Sequence, residues 1–518
     1  MRRPGRLLHT SCLAVLLVLV ACPASAQPTS RETMSAQDFV RRVGAAGIDE
    51  EHVDVEGTVD LRELERVGYP VRCNDCTISG SLLGSDVIFE RIVDLSGTRI
   101  DGGLDLHRAS FREAFLLQAP VGQRTEIAGT TDLDLTTFGR QAGFDRTRFR
   151  SWFTARNAHV AGNASFVESE FVGDARLDRA VFAQAADFSM STFRGDAAFA
   201  RAHANRTAVF SQARFDGRAI FEGANFHRGA DFTLAVFNDD AIFDAAAFGG
   251  ATAFRFVQSY GLMSLERARV SGAVDLGAAD LVGGLSLSAL TGTETLSLGD
   301  AIIDADADLF MESVRVPALL MDLDDVQRIR GSVARLETLA LLEDSAKQAG
   351  DLATANSARF ELLQMQNGLK DEPVPRLLEA VFYRSISGYL VRPSHPLVAL
   401  LLAMLLAATL RAIHLHRLDD RPPLAGRGTT ARQAARALHE RLRYGARLLW
   451  AGLAGSAARL PGVPGGSGAT HMQAARGTWA SRAGTVETVV YRILLAVLLI
   501  SIGNSSSTIR EVIDAVRA

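Results

Sequence analysis

Every eleventh residue from Leu133 to Leu309 is Phe or Leu, with Ala155 as the one exception. Phe188, Phe199, Phe210, Phe221, Phe232 and Phe243 belong to this series. A second series runs five residues behind, through Phe193, Phe215, Phe226 and Phe237, and continues less cleanly through Val270, Leu281, Ile303 and Val314. A register held over so many steps means one repeated supersecondary unit, because each step must offer the same face to the same core. These Phe residues are therefore read as a structural core ladder, not as a ligand box.

Two residues before each core position stands a small one, as in Ala186 before Phe188, Ala208 before Phe210 and Ala230 before Phe232. Strand side chains alternate between faces, so Ala-x-Phe sends both inward and the residue between them outward. That outward residue is often polar, as at Asp187, Asn225 and Asp231. Period eleven alone would permit a helix, but the five/six alternation would place the two series on opposite helix faces. The recurrent Gly, Asp, Asn and Thr, as in Phe193-Arg194-Gly195-Asp196, are corner residues.

Ala186-Asp187-Phe188, Ala224-Asn225-Phe226 and Ala230-Asp231-Phe232 resemble pentapeptide repeats, whose pattern is Ala-Asp/Asn-Leu/Phe-x-x. The resemblance implies a right-handed, four-sided β-helix with one repeat per side. This chain adds one residue at every second repeat, giving an eleven-residue double repeat. A coil then takes 22 residues, which puts a regular square cross-section in question. The expected fold class is a β-solenoid of this pentapeptide type, followed by an α-helical membrane-anchored region. The solenoid is expected over 55–316, with one extra five-residue side near Gly122 to Ile127. Open coil ends need caps. An amphipathic helix within 30–54 and a helical segment after Pro317 are the candidates.

The chain starts with a secretory signal over 1–26: Arg2, Arg3 and Arg6, an apolar stretch from Leu13 to Ala21, and Ala24-Ser25-Ala26 for cleavage. Leu19-Val20-Ala21-Cys22 also fits a bacterial lipobox, which would make Cys22 a lipidated first residue. In an exported protein, Cys73-Asn74-Asp75-Cys76 is most simply a local disulfide between Cys73 and Cys76. Free thiols and a metal site are the alternatives.

After Pro317 the periodicity becomes helical. A hairpin broken at Gly350-Asp351 and an interfacial helix fill 317–394. The stretches 395–415 and 486–504 read as two transmembrane helices, with a basic loop over 416–485 between them and a short tail over 505–518. From Arg411 to Thr485 there are twelve Arg against Asp419, Asp420 and Glu440, so this loop is expected on the cytoplasmic side. The solenoid is thereby expected outside the inner membrane. This half is similar to bacterial pentapeptide-repeat membrane proteins in Gly350-Asp351, in Gly388-Tyr389-Leu390-Val391-Arg392-Pro393 and in Ile502-Gly503-Asn504. Some relatives of that kind carry a two-helix channel with a Gly-Tyr-Gly filter, and no such triplet lies between Arg411 and Thr485.

No Ser/His/Asp grouping, HExxH, P-loop or dinucleotide fingerprint occurs, so no catalytic residue, cofactor or metal is assigned. Asp304-x-Asp306-x-Asp308, set against inward Ile303, Ala305, Ala307 and Leu309, and the group Asp322, Asp324 and Asp325 are read as solvated faces. Asn163-Ala164-Ser165 and Asn205-Arg206-Thr207 fit a glycosylation sequon, which carries little weight in a bacterial chain. The arginines are scattered, so nucleic acid is not an expected partner. The reading is a non-enzymatic envelope scaffold whose partners are membrane lipids and an envelope protein. A subunit of a homo-oligomeric pore and an envelope enzyme acting on glycans are the alternatives.

Overall fold

The computed structural model describes residues 31–368, 394–418 and 478–505, together with His439 and Arg443. The signal, Cys22, most of the basic loop and the segment expected to be an interfacial helix lie outside the described residues.

Residues 32–320 wind into a parallel β-solenoid of about 13 turns with four sheets, of 13, 13, 12 and 11 strands. We letter them A to D. One coil contributes Ala186–Asp187 to sheet B, Thr192–Phe193 to sheet A, Ala197–Ala198 to sheet C and His203–Ala204 to sheet D. Sheet A therefore lies across the core from sheet D, and sheet B from sheet C. Each strand pairs with the strand 22 residues on, as Ala186 with Ala208 and Phe193 with Phe215. The cross-section is four-sided in spite of the added residue. At a strand spacing of about 4.8 Å the rod is about 60 Å long.

The extra residue is absorbed because the two kinds of corner differ. From Leu135 to Asp300 every eleventh residue has φ between 54° and 63°, and of these only Gly223 is glycine. Met190 (φ 57°) turns the chain between Phe188 and Phe193. At the other corner Gly195 keeps an ordinary φ. A Cβ there would stand 2.8 Å from the backbone nitrogen of Asp174 in the preceding coil, so glycine serves close approach between coils. The outward Asp of the repeat also has a turn role. Asp187 and Asp231 each accept the backbone N–H two residues on, from Ser189 and Thr233, at 2.9 Å.

Both Phe series are buried. Along the axis the rings stack one coil apart: Phe199 on Phe221 at 5.0 Å and Phe221 on Phe243 at 4.9 Å. Across the core successive members of the first series meet edge to face, as Phe221 does with Phe210 at 5.2 Å and Phe232 at 5.4 Å, and the two series touch at Phe215 and Phe221, 6.1 Å apart. The small residues Ala197, Ala208 and Ala219 fill the remaining inward places.

Three expectations about register are corrected. Strands begin at Glu32, within the stretch expected to be a cap alone, and the cap helix α1 (Ala36–Ala45) is inserted between the first two strands. Its Ser35 cap accepts from Asp38 N–H, and Phe39 and Val43 close the coil end. The five extra residues near Gly122 form no fifth side. Phe115 still pairs with Ala142 and Ile127 with Ile100, so the insertion is extruded at a corner, where Val121 is 89% exposed. Asp304 to Asp308 is a turn carrying two additional residues, not an alternating strand, and Ala305 is exposed. Leu309 consequently pairs with Leu285 in the small-residue place, and Met311 takes over the ladder position expected for Leu309.

At the other end α2 (Ser332–Gln348) and α3 (Leu352–Gly368) form the expected hairpin. Leu339 and Leu342 are buried, and Ser345 Oγ accepts from Leu319 N–H of the last strand, so α2 covers the final coil. Gly350 (φ 76°) makes the turn, and Asp351 caps α3 by accepting from Ala353 and Thr354 N–H. Beyond it lie α4 (Ser394–Leu418) and α5 (Thr478–Ser505), packed on each other through Leu400, Tyr491 and Leu494. Among the described residues no helix is long and apolar enough to cross a membrane, so the two expected spans are not shown.

Candidate functional site

Function on a solenoid has to come from outward residues, and these build columns in which each coil adds one side chain. One polar column runs along the corner between sheets C and D. His107, Asp134, Arg156, Asp178, Arg179, Arg201 and Glu222 line a shallow groove there, of about 540 Å³. The corner brings together residues from successive coils that no local sequence motif connects.

Asp134 anchors this groove. It is 7% exposed and takes the side chain of Arg156 on one oxygen, at 2.8 Å to Nε, and the backbone N–H of Arg156 on the other, at 2.7 Å. Burial pushes its carboxyl up, but the Arg156 and Thr154 hydrogen bonds outweigh this and hold it below the usual carboxylate range. Asp178, two coils further along with Arg156 in the coil between, has no such guanidinium bond, and burial pushes its carboxyl up. Ligand atoms of His107, Asp132 and Asp134 lie within 4.8 Å of one another. A cation placed there would have to displace Arg156 from Asp134, so the trio is better explained as coil-to-coil bonding than as a metal centre.

Glu170 on sheet A is the second buried carboxylate, 8% exposed. It is ringed by Arg194 (2.7 Å), Arg124 (3.0 Å) and Arg148 (3.3 Å). Burial raises its pKa, and the three guanidinium groups more than reverse this and lower it. The site is a structural ion-pair knot whose cations are all spent on one carboxylate.

The residues singled out from sequence fall as follows. Cys73 and Cys76 are joined by a disulfide across the turn at Asn74-Asp75, with both sulfurs in the core. Asp304 and Asp306 are exposed in their turn. Asp322 and Asp324 flank Asp325, which is 8% exposed, lies 3.6 Å from Arg328 and is raised by burial, so this member is not on a solvated face. The sequence reading missed Asp134 and Glu170 altogether. Their partners stand 22 or 24 residues away, as with Arg156 and Arg194, or 46 away, as with Arg124, and only the coil length reveals the pairing.

The family model for pentapeptide repeats (9 copies) matches residues 177–224 and 191–235, in the most regular part of the ladder. No curated protein and no solved structure matches the chain. The geometry and the family match together identify pentapeptide repeats wound into a β-solenoid.

Proposed function

We propose that this chain is a non-enzymatic, membrane-attached scaffold of a bacterial envelope, presenting its rod outside the inner membrane as an interaction surface. The observation that carries this is the outer side of the α4–α5 pair. Leu402, Leu406, Val486 and Leu499 are each at least 60% exposed there, and Leu401, Leu405, Ile493 and Ile500 are more than half exposed. Such a contiguous apolar surface is unfavourable in water and marks contact with lipid or protein. The sequence adds that 395–415 holds one charge, Arg411, near its end. The signal at 1–26 and the buried Cys73–Cys76 disulfide both fit an oxidising compartment. The ion pairs of the groove and of Glu170 tie coil to coil, which suits a stiff support better than a reactive centre.

The test is fractionation of the full chain with alkaline carbonate extraction. Retention in the pellet, with the rod cut by protease added outside spheroplasts, is the expected result. Release by carbonate, or a rod protected from external protease, would refute attachment or topology respectively.

A further inference from the structure

The rod surface is segregated by charge in a way that only the 22-residue coil exposes. Consider the seven successive stretches that pass from the corner before sheet D, across sheet D, to the following corner: 135–141, 157–163, 179–185, 201–207, 223–229, 245–251 and 267–273. They contain seven arginines (Arg140, Arg179, Arg201, Arg206, Arg228, Arg267 and Arg269), three histidines (His159, His203 and His227) and no Asp or Glu, while the residue immediately before five of them, on the sheet C side of the corner, is acidic (Asp134, Asp178, Glu222, Asp244 and Glu266). All ten side chains are on exposed residues. Sheet A and its corners, on the opposite side, mix the two signs: Arg148 and Arg194 pair with Glu170, Arg214 with Asp216, and Arg218 with Asp196. Among the described residues none of the seven sheet-D arginines has a carboxylate within salt-bridge distance, although the chain as a whole carries a net charge of −4.

We propose that the sheet D face binds a linear acidic polysaccharide laid along the rod axis; this rests on the reading of the rod as an interaction surface. These guanidinium groups form no ion pair among the described residues, although Asp178 and Glu222 line the same groove as Arg179 and Arg201, and arginine offers a planar fork that matches a carboxylate. They are stacked along the axis rather than gathered in a pocket: Arg179 and Arg201 occupy one edge in adjacent coils, and Arg206 and Arg228 the other. Between them Ala161, Gly162, Ala183 and Gly249 keep the floor low. An extended polymer can follow such a double row, whereas a compact ligand would meet only part of it. The histidines add hydrogen-bond donors within the row, with His227 also 3.2 Å from Asn225 Oδ1. No Phe, Tyr or Trp is exposed in these stretches, so single-stranded nucleic acid would find only the three imidazoles to stack on. Leu135 is the one large apolar side chain exposed there, too little to enter a bilayer.

The experiment is a binding titration of the full-length protein in detergent against polygalacturonate, with duplex DNA and anionic phosphatidylglycerol vesicles as comparison probes. Two variants of equal charge change are measured: R179A/R201A/R206A/R228A on the sheet D side and R146A/R150A/R214A/R218A on the sheet A side. The expected result is polygalacturonate binding that weakens at least about tenfold in the first variant, much less in the second, and recovers in part when the four arginines are Lys. No binding at low salt, equal losses in both variants, or tighter binding to DNA or to vesicles than to the polysaccharide would each overturn the proposal. The sheet D variant is expected to stay in the carbonate-resistant pellet, so that loss of binding is separable from loss of attachment.

Discussion

Replacing Phe221 by Ala tests whether the stacked rings, more than the strand pairing, hold the coils together. Phe221 is fully buried. It stacks on Phe199 and Phe243 at 5.0 and 4.9 Å and meets Phe210 and Phe232 edge to face at 5.2 and 5.4 Å. The strands around it are only two residues long and cannot relax far to fill a void. A buried Phe→Ala change costs about 3–5 kcal/mol, and the aromatic contacts place this one toward the upper end. Phe221→Leu keeps most of the volume but loses the stacking, and should cost less than half as much. Because each coil touches only its neighbours, the damage should be local. Hydrogen exchange read by mass spectrometry is then the assay, because a repeat array need not unfold in one step. Amides of 197–248 should lose protection, while those of 71–111 keep theirs. The double variant F221A/F243A should cost less than the sum of its parts, by about 0.5–1.5 kcal/mol. F221A/F89A, with the two sites several coils apart, should be additive. A cost below about 1 kcal/mol for F221A, or equal loss of protection along the whole rod, would refute the reasoning.

Other consequences can be checked one by one. Asp134→Asn leaves Arg156 against a neutral partner in a buried place, and should cost about 1–3 kcal/mol at neutral pH by thermal melting. The folded pKa of Asp134 is depressed, so its stabilisation is present above the unfolded value near 4 and lost as pH falls through the folded one; acid should remove the difference between wild type and variant. Asp178 is shifted the other way, so its contribution is fully present below the unfolded pKa and lost as pH rises; Asp178→Asn should be neutral or stabilising at pH 7. Alkylation without reductant should leave Cys73 and Cys76 unmodified, and Cys73→Ser/Cys76→Ser should cost no more than about 2 kcal/mol, because so short a loop constrains little chain entropy. Gly195→Ala forces a methyl to within 2.8 Å of the Asp174 backbone nitrogen and should cost about 1–3 kcal/mol, whereas Ala at Gly68, where φ is ordinary and the nearest atom is the Glu90 carboxylate at 3.9 Å, should matter less.

The core was legible in the sequence because each inward place repeats without interruption: Phe188, Phe199 and Phe210 need no structure to be recognised as one ladder. Four sides and a 22-residue coil followed from the repeat, but how the corners take up the added residue was not legible. The added residue could have widened the coil or opened a corner, and the choice is made by the left-handed conformation at Met190 and its equivalents, which no residue type announces. The slip at Asp304 to Asp308 was hidden for a related reason. Leu309 keeps the apolar period although its partner is Leu285, so the pattern survives while its meaning shifts by two places. The polar columns were within reach of the 22-residue coil but were not read, because no local motif marks them. Asp134 and Arg156 are neighbours only once 22 residues are known to make one coil, and the segregation of arginine onto sheet D has the same origin.

The repeat length and the coil length differ by a factor of two, and this makes the molecule a reading frame with two phases. Removing 22 residues would excise one coil and leave every later residue on its own side. Removing 11 would preserve the Phe ladder almost as well, since Ala197-Ala198-Phe199 would simply follow where Ala186-Asp187-Phe188 had been. Everything downstream would then be turned by half a revolution, exchanging sheet A with sheet D and sheet B with sheet C. The core would hardly register the change, but a continuous stripe on the outside would be broken into two half-length stripes on opposite sides. Length changes in such a rod are therefore quantised by the core at 11 residues and by the surface at 22.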